Sequence, residues 1–363
     1  MKNIIKVMFA FITSVSLISS ATAGEMTVTG SAKATYNIQS GNINAGKGIG
    51  ITNEIDFSAS GELDNGYTWN YQVQMDPSDD ASISGGSIDD TKLTLATPYG
   101  TLGFFVSEGG LDVDNSASQS VYGRPTDIGV TSGMQDSFDI SGYNNIQLHT
   151  PAGLLPFGTS VKFAYASSND STINSGNDGG AQQTIYGEGA QQVQITASPI
   201  DGLKVGADYF EASGAGDAAS QVVQKAESGS IFATYATGPL SVGVSMSAKA
   251  PLILGGAGVV TAISNASAAG GNADGVRHYK AKKASVAFNV NDNLSVSYEE
   301  ERSKQTLITN HSTGDMKAHA IQAAYTMGGM TLAVSQGTVD AVSYSTATDA
   351  SVDQTLFSMS MAF

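Results

Sequence analysis

The 363-residue chain has no cysteine, which excludes disulfide staples and thiolate metal sites. A large chain built without them draws its stability from a broad core or from a closed barrel. Basic residues are also scarce: 17 Lys and Arg stand against 33 Asp and Glu, a formal charge of −16 at pH 7. Nucleic acid and anionic membrane surfaces are therefore poor partners for the protein as a whole. Past the first two dozen residues no apolar run approaches the roughly 20 residues of a membrane-crossing helix, and a helical period is hard to find.

Signs of catalysis are equally sparse. The four histidines, His149, His278, His311 and His319, share no ligand spacing on one element. A Ser/His/Asp site is recognised by geometry rather than by order, but no GxSxG marks a nucleophile, as an outer-membrane hydrolase would lead one to expect. The chain is read as non-enzymatic, without a cofactor. Acid-rich stretches such as LDVDN, NSGND and DPSDD offer carboxylates to Ca²⁺; none has the DxDxDG spacing with a distal Glu, and Ca²⁺ binding is kept as the one alternative to a chain without cofactors.

What is present begins with an export signature. Lys2 and Lys6 precede the apolar stretch VMFAFITSVSLIS, and Ala21-Thr22-Ala23 supplies a small-x-small cleavage pattern. Residues 1–23 are expected to be a removed signal peptide, and residues 24–363 a single domain. Removal takes away two lysines and no acid, so the charge moves from −16 to −18.

Period-two alternation then recurs along the chain. In TVTGSAKATY, Val28, Gly30, Ala32, Ala34 and Tyr36 alternate against Thr27, Thr29, Ser31, Lys33 and Thr35. In NEIDFSAS, Ile55, Phe57 and Ala59 face away from Glu54, Asp56 and Ser58. YTWNYQVQM sets large apolar side chains against Thr68, Asn70, Gln72 and Gln74. That pattern suits a wall with lipid outside and water inside. Further runs centre on Leu93, Phe104, Ile146, Val161, Val193, Val205, Ile231, Val242, Val286, Leu294, Ile321, Leu332 and the closing TLFSMSMAF. Together they predict 16 strands, an even number as closed bacterial barrels require.

The links between runs strictly alternate in length. ELDNG, TPYG, PAGLLPFG, SPIDG, TGP, NDN and MGG are short. PSDDASISGGSIDD, residues 108–144, SSNDSTINSGNDGGAQQTIYGEG and the region from Ser247 to Lys280 are long and polar. An all-β, antiparallel up-and-down transmembrane barrel produces this, with short periplasmic turns and long outer loops. Tyr36, Tyr165, Tyr209 and Tyr298 are expected at the outer interface, and Tyr235, Tyr325 and Phe363 at the inner one. In the last run Phe357, Met359, Met361 and Phe363 face lipid. The final strand must pair with the first, since an open edge in hydrocarbon leaves backbone groups unpaired at several kcal/mol each.

With TVTGSAKATY, PYGTLGFF and the terminal aromatic strand in view, the chain resembles the trimeric general porins of Gram-negative outer membranes, in particular the alphaproteobacterial type. The resemblance covers essentially all of residues 24–363. It implies a homotrimer that passes small hydrophilic solutes and ions by passive diffusion, and a terminal strand, carried by Phe357, Met359, Met361 and Phe363, that the outer-membrane assembly machinery recognises. It further implies that the third outer loop, residues 108–144, folds inward as an eyelet.

That loop carries Glu108, Asp112, Asp114, Asp127, Asp136 and Asp139 against the single base Arg124. Carboxylates clustered in a narrow aqueous pore concentrate cations. By alternation Lys33, Lys92, Lys162, Lys204 and Lys283 face the lumen, as do Glu54, Asp56 and Asp208. Lys33 and Lys92 are the candidates for a basic side of the eyelet, while Lys162 and Lys204 either line the lumen or snorkel to head groups.

Two other roles for the same barrel are weighed. A substrate-specific channel needs an aromatic slide or an arginine array, whereas Phe232 is one of few inward aromatics and only Arg277 and Arg302 lie outside the third loop. A closed structural or adhesive barrel needs bulky inward residues. The inward positions here are mostly Ser, Thr, Gln, Asn, Ala and Gly, and about 16 strands leave room for a channel.

Overall fold

The computed structural model describes residues 25–42, 45–77, 86–106, 108–127, 132–167, 189–212, 221–256, 259–263, 275–308, 313–347 and 350–363. The expected signal peptide, residues 1–23, lies outside them. Nineteen strands occur among the described residues: β1 (Glu25–Gly41), β2 (Gly46–Glu62), β3 (Thr68–Pro77), β4 (Gly86–Thr97), β5 (Gly100–Val106), β6 (Asn145–His149), β7 (Ser160–Ser167), β8 (Gly189–Ile200), β9 (Leu203–Ala212), β10 (Gln221–Gln224), β11 (Ala226–Thr237), β12 (Leu240–Ala250), β13 (Leu252–Gly256), β14 (Val259–Ile263), β15 (Val276–Asn289), β16 (Leu294–Leu307), β17 (Asp315–Met327), β18 (Met330–Asp340) and β19 (Ser351–Ala362).

Sixteen of them close into one antiparallel barrel in which each strand pairs with its barrel neighbours in chain order and β19 returns to β1. The sixteen sequence runs each fall on one of these strands. Closure is continuous from Ser31 opposite Ala362 to Gly41 opposite Val352. Beyond it, Gly30 and Phe363 exchange backbone hydrogen bonds of 2.8 and 2.9 Å.

The wall is inside-out relative to a water-soluble sandwich. Val28, Tyr71, Leu93, Phe104, Ile231, Val244, Phe288, Ile321, Phe357, Met359 and Met361 are exposed on the outer surface, where hydrocarbon rather than water meets them. Buried apolar groups sit inside the barrel instead, with Leu111, Ile140 and Tyr143 packed against Ala164, Ala190, Phe210 and Ala226. No helix among the described residues is long and apolar enough to cross a membrane; the strands do the crossing.

The short links are tight turns. In ELDNG the Gly66 amide donates to Leu63 O at 2.8 Å, and its φ of 81° is a left-handed conformation that favours glycine. In NDN, Val290 N donates to Leu294 O at 2.8 Å.

Two long links differ from the expected plain loops. GSIDD belongs to β4, which begins at Gly86. The region from Ser247 to Lys280 is only partly a loop, because β12 runs on to Ala250 and β15 starts at Val276. Between them β13 pairs with β14 and with β10 of the preceding outer connection, making a separate three-stranded sheet. This pairing joins segments from two different connections, so no single run of alternation announces it. Leu252 of β13 reaches the buried cluster around Leu111 and Ile140.

Candidate functional site

Alternation on the wall delivers small polar groups to the interior: Gln192 and Gln194 on β8, Ser228 and Ser230 on β11, Ser245 and Ser247 on β12, Ser297 and Ser303 on β16, and Gln322 on β17. All of these are buried, so something inside the barrel covers them. It is the segment 108–144, whose described parts run along the inner wall.

Its path can be followed by hydrogen bonds. Gln194 donates to Leu111 O at 3.0 Å, and Val113 N donates to Asp208 at 3.0 Å. Ser245 donates to Asp114 O at 2.6 Å and Ser285 to Ala117 O at 2.7 Å. Ser120 donates to Glu299 at 2.7 Å, Val121 N to Ser297 at 3.0 Å, and Gln322 to Gly123 O at 2.6 Å. Tyr122 packs against Ala320 and Leu356, and its ring lies 5.6 Å below Lys33 Nζ of β1. The return passes Tyr344, whose hydroxyl accepts from Gln135 N at 2.8 Å, then Ser228, which accepts from Phe138 N at 2.9 Å, and Gln192, which accepts from Ile140 N at 2.8 Å.

Close approach is built into the wall. At Gly243 an added Cβ would collide with the Ala117 carbonyl oxygen of the loop.

The loop's charges are mostly committed to the wall and to each other. Asp114 is fully buried, and Lys283 Nζ lies 3.1 Å from it and 2.9 Å from Asp136. Arg124 grips Asp127 through two nitrogens at 2.7 and 2.8 Å and lies 3.3 Å from Asp136 and 3.6 Å from Glu301. Glu108 pairs with Lys92 at 2.7 Å. Asp139 accepts from Leu111 N at 2.8 Å and from Ser141 at 2.9 Å.

Burial opposes ionisation of Asp136, but Lys283, Arg124 and Lys249 outweigh it and hold the carboxyl below the usual range. Asp112 has no such base: burial, with Asp114 and Asp139 close by, pushes its carboxyl up to about 10. It is protonated at neutral pH and adds no charge to the lumen.

Of the two bases expected to oppose the loop, Lys92 pairs with the loop's own Glu108 and Lys33 rests over Tyr122. The described parts of the segment lie against β6, β8, β9, β11, β12, β15 to β17 and β19, leaving the β2 and β3 wall to face it. There Gln72 donates to Asp56 at 2.8 Å and Gln74 to Glu54 at 2.6 Å. Lys204 Nζ stands 6.0 Å from the Phe232 ring, and that ring packs under Val113 and Ala117 of the loop rather than forming a slide for solutes. Among the described residues no group of three or more His, Asp or Glu side chains forms a metal-binding set. NSGND and most of DPSDD lie outside those residues, as does His311.

Sequence inspection missed Lys249, Glu299 and Glu301. Leu294, Val296 and Tyr298 set the outward phase of β16, and continuing it inward reaches Glu299 and Glu301. The signal was present but hidden inside the run EEE. Lys249 Nζ donates to Gln135 at 3.0 Å and sits 4.2 Å from the Phe138 ring.

A closed barrel, apolar outside and polar inside, with a charged segment laid along its inner wall defines a transmembrane channel. The sequence profile of the Gram-negative porins matches residues 9–349, and the chain belongs to that family. It is an integral protein of the outer membrane and forms a passive channel there. Salmonella typhi OmpF, solved with daunomycin, superposes with a TM-score of 0.63 at 13% identity, covering 94% of this chain and 98% of OmpF. The trimer form of OmpT, an outer membrane protein of Vibrio cholerae, gives 0.61 at 14% identity, covering 94% and 100%. A triple mutant of Rhodopseudomonas blastica porin gives 0.59 at 15% identity, covering 93% and 100%. Similarity at this level shows the shared fold and does not single out the alphaproteobacterial type. No curated protein matches the sequence.

Proposed function

We propose that the protein is an open, cation-preferring diffusion channel whose eyelet lies between residues 108–144 and the wall of β2 and β3. The observation that carries this is the solvation of Glu54 and Asp56 on the open wall by the amides of Gln74 and Gln72, while the bases beside the loop are taken up by acids. Lys283 is held by Asp114 and Asp136, Arg124 by Asp127, Asp136 and Glu301, and Lys92 by Glu108. Carboxylates on the β2 wall then face the water-filled gap, where they concentrate cations and repel anions. Solutes cross down their gradient with no covalent step.

Planar-bilayer recordings of Glu54→Gln/Asp56→Asn test this. Conductance should persist while cation preference falls; unchanged selectivity would show that these carboxylates do not set the field.

The functional unit is read as a homotrimer. Support comes from the trimer form of the similar Vibrio cholerae protein and from the small outward residues Ala32 and Ala34 on β1, which allow close approach, while Gly30 beside them is covered by the chain's own Phe363 ring. The outward face of β19, with Phe357, Met359, Met361 and Phe363 exposed, is read as the signal for the assembly machinery.

A further inference from the structure

The last outer connection joins β18 to β19, two adjacent antiparallel strands, and a relaxed hairpin loop would be enough to do so. Its backbone is not relaxed. Ala341, Ser343 and Tyr344 have φ of 51°, 53° and 60°, left-handed conformations that residues other than glycine adopt at a cost. They are three of the four such residues among the described ones. Strain of this kind persists only where the surroundings over-determine it, so the contacts of the turn show what holds it.

Those contacts point into the barrel. Val342 and Tyr344 are buried among Tyr279, Leu307, Met316, Val339 and Val352, on β15 to β19, and Met134 from the return limb of segment 108–144 packs against the same cluster. Ser343 N donates to Ser132 O of that limb at 3.0 Å, and the Tyr344 hydroxyl accepts from Gln135 N at 2.8 Å. Ser303 on β16 gives its hydrogen to Gln135 O at 3.0 Å, which leaves Tyr344 as the donor in the 2.8 Å contact between the two hydroxyls. The inward segment, the wall and the last connection are thus joined in one ring of three hydrogen bonds. From behind, Gly314 N donates to Tyr344 O at 2.9 Å, and an added Cβ at Gly314 would collide with Ser345 O. Asp136, which follows Gln135 directly, is the carboxylate that meets Lys283 at 2.9 Å and Arg124 at 3.3 Å.

We propose that Tyr344 is a positioning residue of the channel: through it the last outer connection pins the return limb of segment 108–144 to the β16 wall and keeps Gln135 and Asp136 out of the water path. The inference rests on the eyelet placed at that segment. Without the hydroxyl, Gln135 N loses its acceptor and the strained turn loses a contact that holds it, so the limb moves between the wall and the gap.

Single-channel recordings in planar bilayers test this, with the folding of each variant read from heat-modifiable gel migration. Tyr344→Phe keeps the ring and its packing, and should raise the share of time spent in reduced-conductance states at least about fivefold, the factor that one lost hydrogen bond carries. Thr346→Val, on the exposed side of the same connection, should leave the trace unchanged. The chain has no cysteine of its own, and an added Cβ at Gly133 would stand 3.2 Å from that of Ser343, near the Cβ separation of a disulfide. In Gly133→Cys/Ser343→Cys/Tyr344→Phe, oxidation should therefore restore the quiet open level, and reduction in the same bilayer should bring the substates back. A residue that merely stabilised the barrel would not give that reversal. A quiet Tyr344→Phe channel, or substates that oxidation leaves unaltered, would overturn the proposal and leave the eyelet reading intact. A wild-type protein that passes no current would overturn both.

Discussion

Gly30 and Phe363 close the barrel by exchanging both backbone hydrogen bonds, and the Phe363 ring occupies the space where a Gly30 side chain would be, 2.8 Å from an added Cβ. Glycine at this position leaves room for the last aromatic ring against the first strand.

Gly30→Leu is therefore expected to displace the ring and weaken closure by about 1 to 3 kcal/mol, the usual cost of overpacking. Urea unfolding in detergent should show a lower midpoint, and Ala32→Leu, two pairs further on and opposite Met361, a smaller loss. Equal losses at the two positions would mean that the Gly30 contact is not special.

Lys283→Met leaves fully buried Asp114 without its base. A buried pair broken on one side costs about 3 to 5 kcal/mol, so the loop should loosen and single-channel current noise should rise. Lys283→Met/Asp114→Asn should recover most of the loss. If the double variant is no quieter than the single one, the pair is not the anchor.

Stability should also depend on Asp112. Its carboxyl keeps a proton in the folded protein up to about pH 10 but loses it near the ordinary carboxylate value when unfolded. The folded state thus binds more protons across that window, and stability falls as pH rises through it. Asp112→Asn should flatten the decline of Tm between about pH 4 and pH 10, measured against the wild type in the same buffers. An identical slope in the variant would place the titration elsewhere.

Gly243→Val should push the Ala117 carbonyl away from the β12 wall and narrow the gap, lowering single-channel conductance. Gly329→Val, at a turn with nothing within 4 Å of an added Cβ, should leave conductance unchanged. A Gly243 variant with normal conductance would mean that the loop yields without entering the water path.

The barrel was legible because lipid outside and water inside impose strict alternation on every strand: YTWNYQVQM already separates Tyr71 and Val73 from Gln72 and Gln74. The inward face of Lys283 followed from the same alternation. Its partners did not, since Asp114 and Asp136 lie 169 and 147 positions away and meet it only once the loop has folded. Lys92 illustrates the reverse, being a base expected across the eyelet that pairs instead with Glu108 at the root of the loop. The sheet of β10, β13 and β14 escaped notice because its strands are short and its pairing spans two connections.

The most direct measurement is the reversal potential of the purified wild-type protein in a planar bilayer under a KCl gradient. Steady conductance with a potential on the cation-selective side is predicted, reflecting the carboxylates Glu54 and Asp56 of the β2 wall. An anion-selective potential would contradict the account, because Lys33, Lys162 and Lys204 would then control the water path in place of Glu54 and Asp56.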